Sequence, residues 1–537
     1  ALHHHVELMV YVSTVITGLI FVVFSLITVA VCFPEYYALF LDTFFNGIVY
    51  KGKTLKAFSS PTFPFGTIFH KINDPKNWMA RSLEFGKDHS GFHVEWVLHK
   101  AVLVVNDFDL VQKLLGLEIT IKKTTRKGDE TLPVLKKLFG KGLFMIRSHE
   151  WKRQHRVATR GMGSKHIKAY TPVVIEVIKR VVQDIEKKLE GKDEVDIDVL
   201  EMFQSFASET TMRILFGGEL SQEDLLRTGK KFCDCIFEGM RPINMLTLYF
   251  KSPLPGPTKL RNDIDELHAI SSEIVKKFRK DMKEKDVEEE GGALLKALCR
   301  ASDEGDTLTD EEVVHNVYAF AGAGIDTTST GLTHLMITLA ERPEIQEKMA
   351  EEILAASNER DGKDLTIDES LAGFPYTSAV IKESLRLFPP VGALPFRHCT
   401  VSNVKLGPAT LAKNTPISAW IPTTARSESW WGPDAKEFRP ERFLEMKEGR
   451  RGESVDITHP LGGKFLTFSG GVRSCIGKKL AAVEFRSIVA MLLEKFEFRL
   501  LPEHEHLAKK DQHWEINNFL FKPREDRCCL RVKRRVN

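Results

Sequence analysis

Phe468-Ser469-Gly470-Gly471-Val472-Arg473-Ser474-Cys475-Ile476-Gly477 places one cysteine in a glycine-rich loop. The next eighteen residues, Lys478 to Lys495, carry apolar side chains at helical spacing, so the cysteine stands at or just before a helix N-terminus. Free N–H groups and the helix dipole favour anionic sulfur there. Arg473 adds positive charge, and Gly470, Gly471 and Gly477 let the backbone turn tightly. The loop is built to present a thiolate. A zinc site would need further ligands, and no Cys-x-x-Cys or His pair stands nearby. A nucleophilic cysteine would need a base, and none is evident locally. Two readings stay open on spacing alone: a structural buried thiol, or the single axial ligand of a haem, where one thiolate suffices.

The full pattern Phe-x-x-Gly-x-Arg-x-Cys-x-Gly, at Phe468, Gly471, Arg473, Cys475 and Gly477, resembles the haem-ligand loop of the cytochrome P450 family. The resemblance implies a mainly α fold with small β-sheets and one haem-binding catalytic domain over 67–537. It assigns Cys475 as the axial iron ligand and places Phe468, Gly471, Arg473 and Gly477 in the haem-binding loop.

A second unusual stretch lies upstream. Thr309-Asp-Glu-Glu312 reads as a capping box, and helical periodicity then runs to about Arg342, before Pro343. Midway lies Ala321-Gly-Ala-Gly-Ile-Asp-Thr-Thr-Ser-Thr330. Two interior glycines cost a helix about 1 kcal/mol each relative to alanine. Such a broken rule marks either a working site or a small-residue packing seam. On the first reading, small residues let a flat cofactor or substrate lie against the helix. A threonine hydroxyl can bend the helix and hold a water, and Asp326 can relay protons from solvent. Ala323-Gly-x-Asp-Thr-Thr328 is similar to the family's oxygen-activation motif, which implies that Asp326 and Thr327 guide protons to iron-bound O2. One branch of the family carries Glu, esterified to haem, at the position of Ala323. Alanine there implies a non-covalent haem b.

Glu383-Ser-Leu-Arg386 leads into Leu387-Phe-Pro-Pro390, and Pro440-Glu-Arg-Phe443 follows later. Alone, an i, i+3 ion pair is weak evidence. The combination resembles the family's Glu-x-x-Arg motif and its arginine partner, implying a buried structural network of Glu383, Arg386 and Arg442. Haem propionates need cationic or hydrogen-bonding partners. Arg473, Arg397 and Trp151 stand where the family has such groups. The usual Trp-x-x-x-Arg is broken here: His155 occupies the fourth place after Trp151 and Arg156 follows, so His155 or Arg156 takes that role.

At the N-terminus, Leu8 to Phe33 runs without a charged residue. As a helix it would span about 39 Å, enough for a hydrocarbon core of about 30 Å. The run is too long for a signal peptide and no basic segment precedes it. We therefore expect a lumenal segment at 1–7, a transmembrane helix at 8–33 and an interfacial segment and linker at 34–66. Tyr36, Tyr37, Phe40, Phe44, Phe45 and Tyr50 form an aromatic belt, unless they line a buried amphipathic helix. Lys51, Lys53 and Lys56 follow the span, which places the catalytic part in the cytosol. The expected location is the endoplasmic reticulum membrane, in a single pass.

The remaining composition bounds the answer. A formal net charge of +3 gives no reason to expect nucleic acid. Eight cysteines without a framework suit a reducing compartment. Phe92 to Val105 alternates as a hairpin would, Thr120 to Phe144 reads as a loop, and Asp281 to Glu290 reads as a solvated helix end and surface loop. No complete Gly-x-Gly-x-x-Gly follows a strand, so electrons must come from another protein. With a membrane anchor, the resemblance implies an NADPH-dependent flavoprotein reductase. Lys152, Arg153, Lys478 and Lys479 are candidates for its docking face. The expected activity is insertion of one oxygen atom from O2 into a lipophilic substrate of the fatty acid, sterol or terpenoid class. A haem-thiolate isomerase or dehydratase acting on peroxides is a rival, opposed by the intact Asp326-Thr327 pair. A haem-dependent ligand sensor is a second rival, which turnover would exclude.

Overall fold

The computed structural model describes residues 48–50, 53–55, 81, 84–85, 91–97, 100–120, 125–127, 133–146, 148–217, 219–239, 241, 244, 247–284, 294–300, 307–361, 363–394, 397–399, 401–445, 456–507, 514–517 and 520–536. The expected anchor at 8–33 and most of the segment at 34–66 lie outside them, as does most of the charge run after Asp281. Among the described residues no helix is long and apolar enough to cross a membrane. The chain divides into two compact units.

The first unit comprises residues 1–128 and 393–427 and is built on two sheets. One has four antiparallel strands, with Ile48–Tyr50 between Lys53–Thr54 and Ala409–Leu411, and Val404–Leu406 at the far edge. The other has five strands. The antiparallel hairpin Phe92–Val97 and Lys100–Val105 is extended by the parallel strand Pro416–Ser418, then by Arg397–Cys399 and Thr125–Lys127. The hairpin follows from the run of β-branched and aromatic residues. Its polar face is nonetheless buried, against the expectation that alternation raises. Asn106 Nδ2 donates to His93 Nδ1 (3.2 Å), leaving Nε2–H of His93 to donate to Glu95 Oε1 (2.9 Å). Thr423 Oγ1 donates to Asn106 Oδ1 (3.0 Å). His93, Glu95, Asn106 and Thr423 thus partner one another inside the unit, which is what makes their burial tolerable.

The second unit, residues 129–392 and 428–537, is mostly helical. Its axis is the long helix Asp310–Ala340, 31 residues and so about 46 Å in length. The capping box forms as the spacing predicts. Thr309 Oγ1 accepts from Glu312 N (3.2 Å), and Glu312 Oε2 accepts from Thr309 N (2.9 Å). Most of the helix is buried. The helix Val199–Phe216 runs against it, and glycine brings the helix Lys478–Lys495 close: a Cβ on Gly331 would lie 2.6 Å from the Phe485 ring. A three-stranded antiparallel sheet (Phe496–Leu500, Cys529–Arg534, Glu194–Asp198) and the hairpin Trp514–Asn517/Leu520–Pro523 complete the unit. The segment Thr120 to Phe144 is not simply a loop. It contains the end of the helix Phe108–Thr120, the strand Thr125–Lys127 and the two-turn helix Pro133–Phe139. Val134, Leu135, Leu138 and Phe139 are buried there, a stripe too short to stand out from its lysines. The seven described cysteines form no disulfide with one another.

Candidate active site

The Cys475 loop is closed by its own backbone. Cys475 N–H donates to Phe468 C=O (2.9 Å), and Ser474 N–H donates to Gly471 C=O (3.1 Å). Ser469 and Gly471 take positive φ, +59° and +65°, which Gly471 meets without strain. Gly470 is extended and Gly477 has an ordinary φ of −84°, so the expectation of three conformationally needed glycines holds only at Gly471. At Gly477 a Cβ would meet nothing within 4 Å. Gly477 caps the helix Lys478–Lys495. The Cys475 thiol opens to the molecular surface while protein atoms crowd it from behind. That crowding raises its pKa, opposed by the N–H groups of Gly477 and Lys478 and by the Lys478 charge.

Three side chains gather beside this loop. The Arg473 guanidinium lies over the Trp151 ring at 3.8 Å, and the His155 ring packs against the same indole, tilted by 34° with centroids 4.4 Å apart. Trp151 and His155 share one face of the helix Ser148–Gly161 at i, i+4 spacing. Burial and then the neighbouring Arg473 charge push His155 below the usual imidazole range. A neutral imidazole there offers a hydrogen bond rather than a charge. Arg156 is exposed. Arg397 is buried in the first unit, in the strand Arg397–Cys399.

On the long helix, Ala323 is exposed and Asp326 and Thr327 are half-buried, within a helix otherwise largely enclosed. The glycines serve packing. A Cβ on Gly322 would stand 3.0 Å from Phe232 and 3.2 Å from Phe139, and one on Gly324 would stand 2.9 Å from Thr211 Oγ1. The packing-seam reading therefore holds for Gly322 and Gly324, while the open face is Ala323 with Thr327 one turn on. Thr327 Oγ1 donates to Ala323 C=O (2.6 Å), which leaves its oxygen free only to accept. Asp326 Oδ1 accepts from Lys522 Nζ (3.0 Å), contributed by the C-terminal hairpin. Thr328 turns inward and bonds Glu484 Oε2 (3.2 Å) of the helix that follows Cys475. Burial lifts Glu484 to about 8, so it is protonated at neutral pH. This bond ties the open stretch of the long helix to the helix that the cysteine loop begins.

Behind the loop, Glu383 is fully buried and accepts four hydrogen bonds. Arg386 Nε and Nη2 donate to its two oxygens (2.7 and 2.9 Å), joined by Arg442 Nε (3.0 Å) and Arg439 N–H (2.9 Å). Arg386 also donates to Ala435 C=O and Glu437 C=O (2.8 and 3.1 Å) and lies over Trp431. Arg442 Nη1 reaches Asp434 (3.1 Å). Burial disfavours the Asp434 carboxylate, but bonds from Arg439 and Arg442 outweigh it and hold the carboxyl below its usual range.

Several groups escaped sequence reasoning. Lys382 is fully buried, donates to Asp456 C=O (2.6 Å) and sits between the rings of Phe443 and Phe465. Burial lowers it to about 7. No periodicity distinguishes it from a surface lysine. The pairings of Lys522 with Asp326 and of Thr328 with Glu484 were equally invisible, because the partners are distant in sequence. In the expected basic docking face, Arg153 is committed to an ion pair with Glu312 and a bond to Thr307 C=O, and Lys479 donates to Ser164 Oγ (2.9 Å). Lys152 is exposed.

The family model for cytochrome P450 matches residues 59–530. The chain is 27% identical over 468 residues to cytochrome P450 734A1 of Arabidopsis thaliana, covering 85% of this chain and 83% of that one. It is 29% identical to the cytokinin hydroxylase of Arabidopsis thaliana, covering 69% of each. With the cytochrome P450 monooxygenase claQ of Ampulloclitocybe clavipes the identity is 28%, over 71% of this chain and 75% of the other. The chain belongs to the cytochrome P450 family. It is an oxidoreductase of the monooxygenase class, with a haem-thiolate cofactor and O2 as co-substrate. The residues present fit that cofactor: a single open thiol with N–H groups directed at it, open space at Gly477, and Arg473, Trp151 and His155 gathered nearby.

Proposed function

We propose that this chain hydroxylates a lipophilic small molecule of the fatty acid, sterol or terpenoid class. The observation that carries the reading is the wall beside the open face of the long helix. Phe139 and Phe232 reach Gly322, the neighbour of exposed Ala323, and Phe144 packs edge-on against Phe139 with centroids 6.1 Å apart. Such a wall accepts apolar surface and offers few hydrogen bonds. The relative named a hydroxylase supports the reaction type.

In this reading residues 67–537 form the haem-binding catalytic domain, and Cys475 is the iron ligand. A thiolate-bound haem supplies O2 binding and oxygen insertion. Phe468, Gly471 and Gly477 shape the loop around the sulfur. Arg473, Trp151 and His155 hold the propionates, with Arg397 as a further candidate. The haem is held without a covalent link, in keeping with Ala323. Glu383, Arg386 and Arg442 keep the loop's support rigid. Asp326 passes protons inward from solvent. Thr327, whose own hydrogen is given to Ala323 C=O, accepts a hydrogen bond and so orients the proton-carrying group beside it. Electrons come from an NADPH-dependent flavoprotein reductase, for which exposed Lys152 and half-buried Lys478 supply docking charge. Residues 8–33 anchor the chain in the endoplasmic reticulum membrane with the catalytic part in the cytosol, which suits a substrate drawn from the bilayer.

The test is the carbon monoxide difference spectrum of the reduced protein, followed by turnover of lipophiles with NADPH and reductase. We expect the strongly red-shifted band of thiolate ligation, absent in Cys475→Ala, and one oxygen atom added to product. A histidine-type band in folded protein would overturn the Cys475 assignment. Oxidation of polar substrates alone would overturn the substrate class.

A further inference from the structure

A buried polar cluster at the start of the long helix has no part in the chemistry above. His315 and Asn316 are both buried there. Opposite them runs the chain 139–146, which leaves the helix Pro133–Phe139. Lys141 N–H donates to His315 Nδ1 (3.2 Å) and Leu143 N–H donates to Asn316 Oδ1 (2.8 Å). Asn316 Nδ2 donates to Gln154 Oε1 (2.7 Å), and Gln154 Nε2 returns to Lys141 C=O (2.8 Å). The approach is close enough to require glycine twice. A Cβ on Gly140 would lie 2.7 Å from the His315 ring, and one on Gly142 would lie 2.7 Å from the His315 carbonyl oxygen. From the other side His268, in the helix Pro255–Glu284, meets His315 edge-on at 5.0 Å and bonds Leu138 C=O (3.1 Å). Burial, and then the adjacent His268, hold His315 down to about 4. It is therefore the neutral acceptor that the Lys141 N–H needs.

The same 139–146 segment carries two of the rings of the aromatic wall. Phe139 touches the Gly322 position, and Phe144, 43% exposed, packs on Phe139. We propose that His315 and Asn316 are positioning residues that latch segment 139–146 to the long helix, and so set how bulky a substrate can be beside Ala323. This rests on the proposed site, and it adds the determinant of substrate shape. Neither residue touches substrate. Each acts through backbone N–H groups that have no other described acceptor, so losing one leaves a part-buried donor to find water and the segment moves.

The experiment compares wild type with His315→Leu, Asn316→Ala and Phe144→Ala in the full-length holoprotein. Hydrogen exchange of amides 140–146 reads the latch. The ratio of the dissociation constants of 4-phenylimidazole and imidazole, both haem-iron ligands, reads the space beside Ala323. Exchange at 140–146 is expected to speed up about tenfold or more in His315→Leu and Asn316→Ala, with the rest of the chain unchanged. The ligand ratio is expected to move by about threefold or more in all three variants. Phe144→Ala, an exposed site that folding tolerates, is expected to move the ratio without changing exchange. Unchanged exchange in both latch variants would overturn the proposal. So would faster exchange with an unmoved ratio, or a ratio that Phe144→Ala leaves alone. A wild-type protein that binds no haem would defeat the functional reading, and exchange at 140–146 would still decide the latch.

Discussion

Two charge clusters of the second unit make a useful contrast. Glu383, Arg386 and Arg442 are almost wholly excluded from solvent, and both Glu383 oxygens accept, Oε1 from three donors and Oε2 from Arg386 Nε. Asp326 and Lys522 share one 3.0 Å contact with both side chains 25% exposed. The first cluster cannot open without stranding buried charge. The second can exchange its partner for water at little cost. Rigidity is thus placed behind the cysteine loop, and exchangeability is placed at the proposed proton relay.

The contrast breaks hardest at Glu383. Glu383→Ala leaves the buried Arg386 guanidinium without its carboxylate and Arg442 with the carboxylate of Asp434 alone, and about 3–5 kcal/mol of stability should be lost. We expect protein that no longer retains haem, measured by denaturant unfolding and by the carbon monoxide spectrum. Slow turnover with normal stability would refute the structural role.

Asp326→Asn is the opposite case. Stability should change by about 1 kcal/mol or less, since the ion pair is part-exposed. The proposed relay predicts a fall in turnover of about 100-fold, as for loss of a proton-transfer group. The rate of product formation per haem at saturating substrate and reductase would measure it. Unchanged turnover would remove Asp326 from the mechanism.

Lys382 sharpens the comparison, being a buried amine next to Glu383 that donates to Asp456 C=O and lies by the rings of Phe443 and Phe465. Its pKa falls from 10.5 in the unfolded chain to about 7 in the fold. Between those values the unfolded state binds the extra proton, so stability should rise with pH from 7 towards 10.5, by at most about 1.4 kcal/mol per pH unit from this group. Unfolding free energies across that window should show the slope in wild type and less of it in Lys382→Met. Equal slopes would mean that Lys382 keeps an ordinary pKa.

The smallest effect belongs to Lys522→Met, which should cost well under about 1 kcal/mol. Faster hydrogen exchange in the hairpin Trp514–Asn517/Leu520–Pro523 would be its signature. A large loss of stability would put this pair in the same class as Glu383.

The parts legible in sequence were those encoded locally. The capping box Thr309/Glu312, the length of the long helix, the helix start after Cys475 and the Glu383/Arg386 spacing all depend on residues within a few positions of one another. The short helix Pro133–Phe139 was hidden because two turns give too little periodicity. The glycines at 322 and 324 were legible as anomalies, but their purpose was not. Only the rings of Phe139 and Phe232 and the Thr211 hydroxyl, brought in from other helices, show that they admit neighbours.

By itself the sequence determined the cysteine loop, the cap of the long helix and the helical frame, because loop chemistry, caps and hydrophobic period act through adjacent residues. Tertiary structure decided which charges are locked and which can open. Lys522 finds Asp326 across 196 positions, Glu484 finds Thr328 across 156, and His315 receives Lys141 across 174. Such pairings carry no local signature, because desolvation and hydrogen-bond geometry exist only once the helices have packed.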